Sequence, residues 1–94
     1  MFMKCYVYAF YDKKIGAYER PIVNNYEPED FKTLVVRDVL CSTNEVKDRM
    51  CDKSLYKLGF YDDAIGEFNT NKPEFLMDIA PLIVGKQKED DVHA

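Results

Sequence analysis

The chain has no tryptophan and a single histidine, His93, one residue from its end. A histidine in that place cannot complete a Cys–His or Ser–His couple on a rigid scaffold, and it reads as a tail residue. Cysteine is sparse as well: Cys5, Cys41 and Cys51 are odd in number, widely spaced and form no C-x-x-C pair. That pattern argues against a zinc site and against a disulfide framework, and leaves three reduced thiols. The four glycines do not gather into a phosphate-cradling loop. The sequence therefore predicts a protein without a cofactor and without catalysis. No apolar run approaches the ~18 residues that cross a bilayer, and the opening Met1-Phe2-Met3-Lys4-Cys5 is too short and strand-like for a signal peptide. No membrane association is expected, and the cytosol is the expected compartment.

What the chain does have is aromatic and aliphatic residue in quantity: 47% of its 94 residues are hydrophobic, with seven Tyr and six Phe. This is the composition of one folded domain with a modest core, for which dimerisation is a natural supplement. Net charge is −4 and unevenly placed: residues 1–57 carry ten Lys/Arg against nine Asp/Glu, and residues 58–94 three against eight. An acidic protein is a poor non-specific ligand for nucleic acid, so any such binding must use a local face.

One stretch occurs twice. Phe10-Tyr11-Asp12-Lys13-Lys14-Ile15-Gly16-Ala17-Tyr18 returns as Phe60-Tyr61-Asp62-Asp63-Ala64-Ile65-Gly66-Glu67-Phe68, identical at five of nine positions, and Tyr6 corresponds to Tyr56. Each copy reads as a β-hairpin. Asp12 and Asp62 open the turns, where a carboxylate accepts backbone N–H groups. Gly16 and Gly66 leave them, where φ > 0 is required. The turn role accounts for the recurring Asp more simply than metal binding at Asp62-Asp63 does. The repeat predicts two hairpins related by a pseudo-two-fold.

In order, the strands are expected at Met3–Tyr11, Ala17–Val23, Leu55–Tyr61 and Glu67–Asn71. The first is apolar on both faces and so central in the sheet. Glu27-Pro28-Glu29-Asp30 starts a helix that runs over 28–41, with Phe31, Leu34, Val35, Val39 and Leu40 on its inner stripe. Ser42-Thr43-Asn44-Glu45 caps a short helix at 45–51. Pro73-Glu74 opens a short C-terminal helix carrying Phe75, Leu76 and Ile79, which Pro81 ends. The fold class is α+β: a mainly antiparallel four-stranded sheet from two hairpins, one packed helix and a short C-terminal helix. Residues 1–85 form the domain, and 86–94 a charged mobile tail.

Two functional readings compete. In the first, a sheet face binds single-stranded DNA: Lys4, Lys47, Arg49, Lys53 and Lys57 contact phosphates and Tyr6, Tyr8 or Tyr56 stack on bases. Against it stand burial of the Tyr6-Tyr8-Phe10 stripe under the helix, the reading favoured by residue type, and a merely solvated basic surface at 47–57. In the second, Phe75, Leu76 and Ile79 form a ridge that docks a replication or assembly protein, or a second copy of the chain. The simpler reading of that ridge is that it covers the sheet.

Tyr8-Ala9-Phe10-Tyr11-Asp12, Gly16-Ala17-Tyr18, Arg20-Pro21, Leu55-Tyr56-Lys57-Leu58-Gly59-Phe60-Tyr61-Asp62-Asp63, Gly66-Glu67-Phe68 and Pro73-Glu74-Phe75-Leu76 together resemble the small nonstructural protein of gokushoviruses, microviruses with circular single-stranded DNA that infect bacteria. The resemblance spans roughly residues 4–77. It implies a non-capsid phage protein made in the bacterial cytoplasm and associated with viral DNA synthesis, or with single-strand production and packaging. It supplies no catalytic residues.

Overall fold

A computed structural model describes residues 4–83, without the side chains of Lys4 and Asn71. The expected tail at 86–94 and His93 lie outside the described residues.

The chain forms an antiparallel sheet with two helices on one face. β1 is Lys4–Asp12, β2 Ala17–Tyr18, β3 Ile22–Asn24, α1 Pro28–Leu40, α2 Asn44–Met50, β4 Lys53–Asp62 and β5 Glu67–Asp78. The strand order is β2-β1-β4-β5, with β3 also paired to β1. The α+β class and the central place of β1 are as the sequence predicts. β1 and β4 run antiparallel, Asp12 beside Lys53 and Lys4 beside Asp62. The two hairpin turns therefore point to opposite ends of a particle 56 × 28 × 19 Å across.

The turns are the same object built twice. The Lys14 N–H donates to Asp12 Oδ1 at 2.9 Å and the Ala64 N–H to Asp62 Oδ1 at 3.0 Å. Gly16 and Gly66 have φ of 68° and 66°, the left-handed region that costs glycine nothing. The Tyr11 and Tyr61 hydroxyls lie 3.7 and 3.9 Å from where a Cβ on Gly16 and Gly66 would sit.

Three expectations need correction. The second strand, expected over 17–23, is divided into β2 and β3, because Pro21 has no N–H for the ladder and restrains Arg20 before it. The helix expected to open at Pro73 is strand instead: β5 runs on to Asp78, since β4 offers a partner for its backbone and Pro73 is tolerable on an edge strand. The short C-terminal helix exists but begins at residue 80, so Pro81 sits in its first turn, where a missing N–H does no harm. In α1, Leu40 is exposed.

One face of the sheet holds the core. Phe31, Val35 and Val39 of α1 press on Tyr6, Tyr8, Leu55 and Ile79, with Ile83 completing the cluster. The Tyr8 ring is fully buried and stacks on Phe31 at 4.4 Å. Its hydroxyl donates to the Tyr26 carbonyl at 2.7 Å, and the Tyr6 hydroxyl to the Glu27 carboxylate at 2.9 Å. Burial raises the Tyr8 pKa, and the Glu27 bond raises that of Tyr6. Glu27 precedes α1 and spends its carboxylate on Tyr6 rather than on a cap of its own helix, whereas α2 is capped by Thr43 Oγ1, which accepts the Val46 N–H.

The β1–β4 ladder contains a bulge. Val7 pairs with Gly59 but Tyr8 pairs with Lys57, so Leu58 is the extra residue. The ladder between β4 and β5 is irregular at the same place. There, a Cβ on Gly59 would stand 2.0 Å from the backbone oxygen of Asn69. The sheet can close at this point only around a hydrogen. Gly59→Ala is therefore expected to destabilise by about 2–3 kcal/mol or more through overpacking, whereas Gly16→Ala, strained only in φ, should cost about 1 kcal/mol. Urea denaturation of the two variants checks the order; equal losses would contradict the close approach.

Candidate functional site

The bulge decides which side chains share a face. Alternation carries Tyr6, Tyr8 and Phe10 to the helix side and Cys5, Val7, Ala9 and Tyr11 to the other. Without the bulge, Tyr56 would follow Leu58 and Phe60 onto the helix side. With it, Tyr56 pairs with Ala9 and Phe75, and Lys57 takes the helix side opposite Tyr8. The helix-free face thus gathers rings from four strands. Tyr18 lies against Tyr11 at 4.9 Å and against Tyr56 at 5.5 Å, Tyr11 lies 6.2 Å from Tyr56, and Tyr56 lies 5.7 Å from Phe75, all edge to face. Edge-to-face packing suits the ring quadrupole. Tyr18 is 41% exposed and Phe75 53%, so the row is open to solvent at both margins. Further along the same face Tyr61 packs on Phe68 at 4.7 Å, and Val23 opposite Val7 is exposed.

From Cys5 to Tyr11 the paired positions of this face carry no charge; Arg20 and Lys72, in unpaired stretches of the flanking strands, are exposed. Charge appears at one end, where Asp78 pairs with Ser54, itself opposite Tyr11. The Asp78 carboxylate accepts a hydrogen bond from Ser54 Oγ and lies 3.1 Å from Lys13 Nζ. The Ser54 bond first, and Lys13 after it, hold the Asp78 carboxyl below the ordinary carboxylate range, against desolvation. Desolvation within the ring cluster, followed by Tyr56 and Tyr11, raises the Tyr18 pKa.

A second concavity lies on the other side. Phe10, Ile22, Phe31, Val35, Val39, Val46 and Met50 line a cavity of about 310 Å3 between the helices and the sheet, with Ser42 and Asp38 also in its wall. Asp38 is its one titratable group, which gives it little chemistry. Among the described residues no three His, Cys, Asp or Glu side chains come together as metal ligands, and no helix is long and apolar enough to cross a membrane.

The family described as Phage ORF5 protein matches residues 5–82. The chain belongs to that family. No curated protein and no solved structure matches it. The Phage ORF5 match takes in all of β2 to β5, α1 and α2, and β1 from its second residue, and with them the row of rings on the helix-free face.

The residues singled out in this phage protein's sequence are not brought together. Tyr6 and Tyr8 are in the core and offer no surface to a base, so of the three candidate rings only Tyr56 stands on an open face. The cations scatter. Lys57 sits on the helix side with its Nζ 5.2 Å from the centre of the Tyr6 ring. Lys53 forms an ion pair with Glu19. Lys47 is buried on α2, while Arg49 is exposed there; the side chain of Lys4 lies outside the described residues. The ridge of Phe75, Leu76 and Ile79 does not exist as one surface either. The extended backbone of β5 and its bulge at Leu76 send Phe75 to the helix-free face, while Leu76 and Ile79 pack into the core. Tyr11 and Tyr18 were absent from the sequence candidates. The signal for them was present: Tyr11 alternates with the buried stripe, and Tyr18 faces it across the Asp12–Gly16 turn.

Asp78 gives this face its testable electrostatics. A carboxyl with a depressed folded pKa contributes stability above its unfolded value of about 3.9, and that contribution is lost as pH falls through the folded value. Ser54→Ala removes the largest cause of the depression. NMR titration should show the Asp78 carboxyl of the variant ionising at higher pH than in the parent, and acid unfolding should lose part of its dependence on this group. An unchanged titration would mean that Lys13 alone sets it.

Proposed function

We propose that this phage protein is non-catalytic and binds single-stranded DNA on its helix-free face, acting in the bacterial cytoplasm in viral single-strand synthesis or packaging, as its resemblance to the gokushovirus nonstructural protein implies. The observation that carries the reading is the row Tyr18–Tyr11–Tyr56–Phe75, four rings spaced 4.9–6.2 Å apart on one open sheet face. A base presents a π-face whatever its identity, so such a row suits unpaired strands and is sequence-tolerant. Duplex DNA, with its bases stacked on one another, offers nothing to it. The titratable groups at the paired positions of the face are tyrosine hydroxyls, the Cys5 thiol and one ion-paired carboxylate, with no histidine among the described residues to activate the thiol, which supports binding rather than catalysis.

The uncharged centre of the face makes stacking, not phosphate neutralisation, the main term. It equally suits an apolar protein partner, such as a replication or assembly protein, and this is the second reading. Fluorescence anisotropy with a labelled oligonucleotide separates them. Tyr56→Ala and Phe75→Ala should each weaken binding by about 1–3 kcal/mol. The log–log salt slope should stay shallower than about −1.4, the value for two phosphates at roughly −0.7 each. Arg49→Ala should change neither. Absence of binding at low salt and high micromolar protein would exclude DNA and leave the protein partner. A steep slope abolished by Arg49→Ala would place binding on α2 instead.

A further inference from the structure

An antiparallel sheet can leave one face to water when that face is polar; here, among the described residues, helices cover one face and the other is apolar as well. The radius of gyration, 15.4 Å, exceeds the roughly 12 Å of a compact chain of this length. The helix-free face is apolar and aromatic: Val7 and Ala9 at its centre are buried, while Tyr18, Val23, Phe68 and Phe75 around them are all 41% or more exposed. Soluble monomers rarely leave such residues contiguous. We infer that in the free protein a second copy of this chain covers the helix-free face, so that self-association and single-strand binding exclude one another. The second half of this inference rests on the DNA reading above.

A second copy fits this face better than a charged partner does. Each chain carries a net charge of −4, yet none of the paired positions at the centre of the face is charged, so two copies meet there without bringing acidic groups into contact. The acids of the second turn, Asp62, Asp63 and Glu67, stay at the end of the particle. The same patch meets itself about a two-fold axis, each sheet's twist setting the aligned packing at about −30°. The area decides how tight this is. Four strands about 4.8 Å apart and seven residues at about 3.3 Å each give a face of roughly 440 Å2. Two copies then bury about 900 Å2, below the roughly 1,200 Å2 where stable specific interfaces begin. The dimer is therefore weak and reversible, as a cover that a ligand must displace has to be.

Light scattering on the full chain tests this, from low micromolar to sub-millimolar protein. The average mass is expected to rise from 11.0 kDa toward twice that value. Phe75→Glu, a change at an exposed site, should hold the mass at one copy throughout, with an unaltered circular dichroism spectrum. Ile65→Glu, at the tip of the second turn, should leave the rise intact. A parent protein that stays at one copy overturns the inference, and so does a rise that survives Phe75→Glu. An unlabelled oligo(dT) strand added to the associated parent should return it to one copy per complex. Two copies retained on one bound strand would overturn mutual exclusion. Self-association with no strand binding would refute the DNA function and leave the second copy as the occupant of the face.

Discussion

The antiparallel pairing of β1 with β4 is what the rest of the molecule depends on. Each strand is the inner member of a hairpin, and each hairpin has its own turn, its own Asp and its own Gly. The β1–β4 ladder is the strand pairing that joins them. It also sets the face of every side chain on β4, and through the bulge at Leu58 it does so differently on the two sides of that residue. Leu55 and Phe60, five apart, both reach the helix side, where plain alternation would separate them. Gly59 makes the arrangement possible, because the Asn69 carbonyl occupies the space a side chain would need.

The consequence is a molecule with two unlike faces. On one, Tyr8 is sealed beneath Phe31 and its hydroxyl is satisfied by a backbone carbonyl; the ring is structural. On the other, rings of the same chemical type stand in a row with their margins in solvent. Residue type does not distinguish these roles, since tyrosine serves equally as a core residue with a polar handle and as a binding surface. What distinguishes them is the side of the sheet, and hence strand parity. The cations follow the same logic: those that cluster in sequence at 47–57 are divided by the end of α2, the ion pair to Glu19 and the bulge.

Much of the fold was legible in the sequence because its signals are local. The Asp and Gly of each turn, the Pro and acids at the start of α1, and its stripe of Phe31, Val35 and Val39 each act within a few residues of themselves. The course of β5 was not legible. Pro73-Glu74 has the form of a helix start, and only the neighbouring strand, distant in sequence, supplies the hydrogen bonds that keep those residues extended. The aromatic face was half legible. Alternation along β1 separates Tyr11 from the buried stripe, but Tyr56 looks like the partner of Tyr6, its counterpart in the repeat. Nothing local announces that the ladder gains a residue at Leu58.

The duplicated hairpins have a consequence for the order of events in folding. β4 and β5 are joined by a tight turn and can pair as soon as both exist, in the microsecond range typical of hairpins. β1 is in a different position. Its residues from Tyr6 to Ala9 are the most completely buried strand segment, yet its long partner lies some fifty positions downstream, beyond both helices. During synthesis that apolar segment leaves the ribosome before β4 and has only the short β2 and β3, and α1 on one side, to shield it until β4 emerges. Non-local pairing of this kind is the slow step in β-rich chains, and the exposed interval is when wrong partners are met. The Lys4–Asp12 strand is thus both the centre of the finished sheet and the part of the chain that waits longest for its place in it.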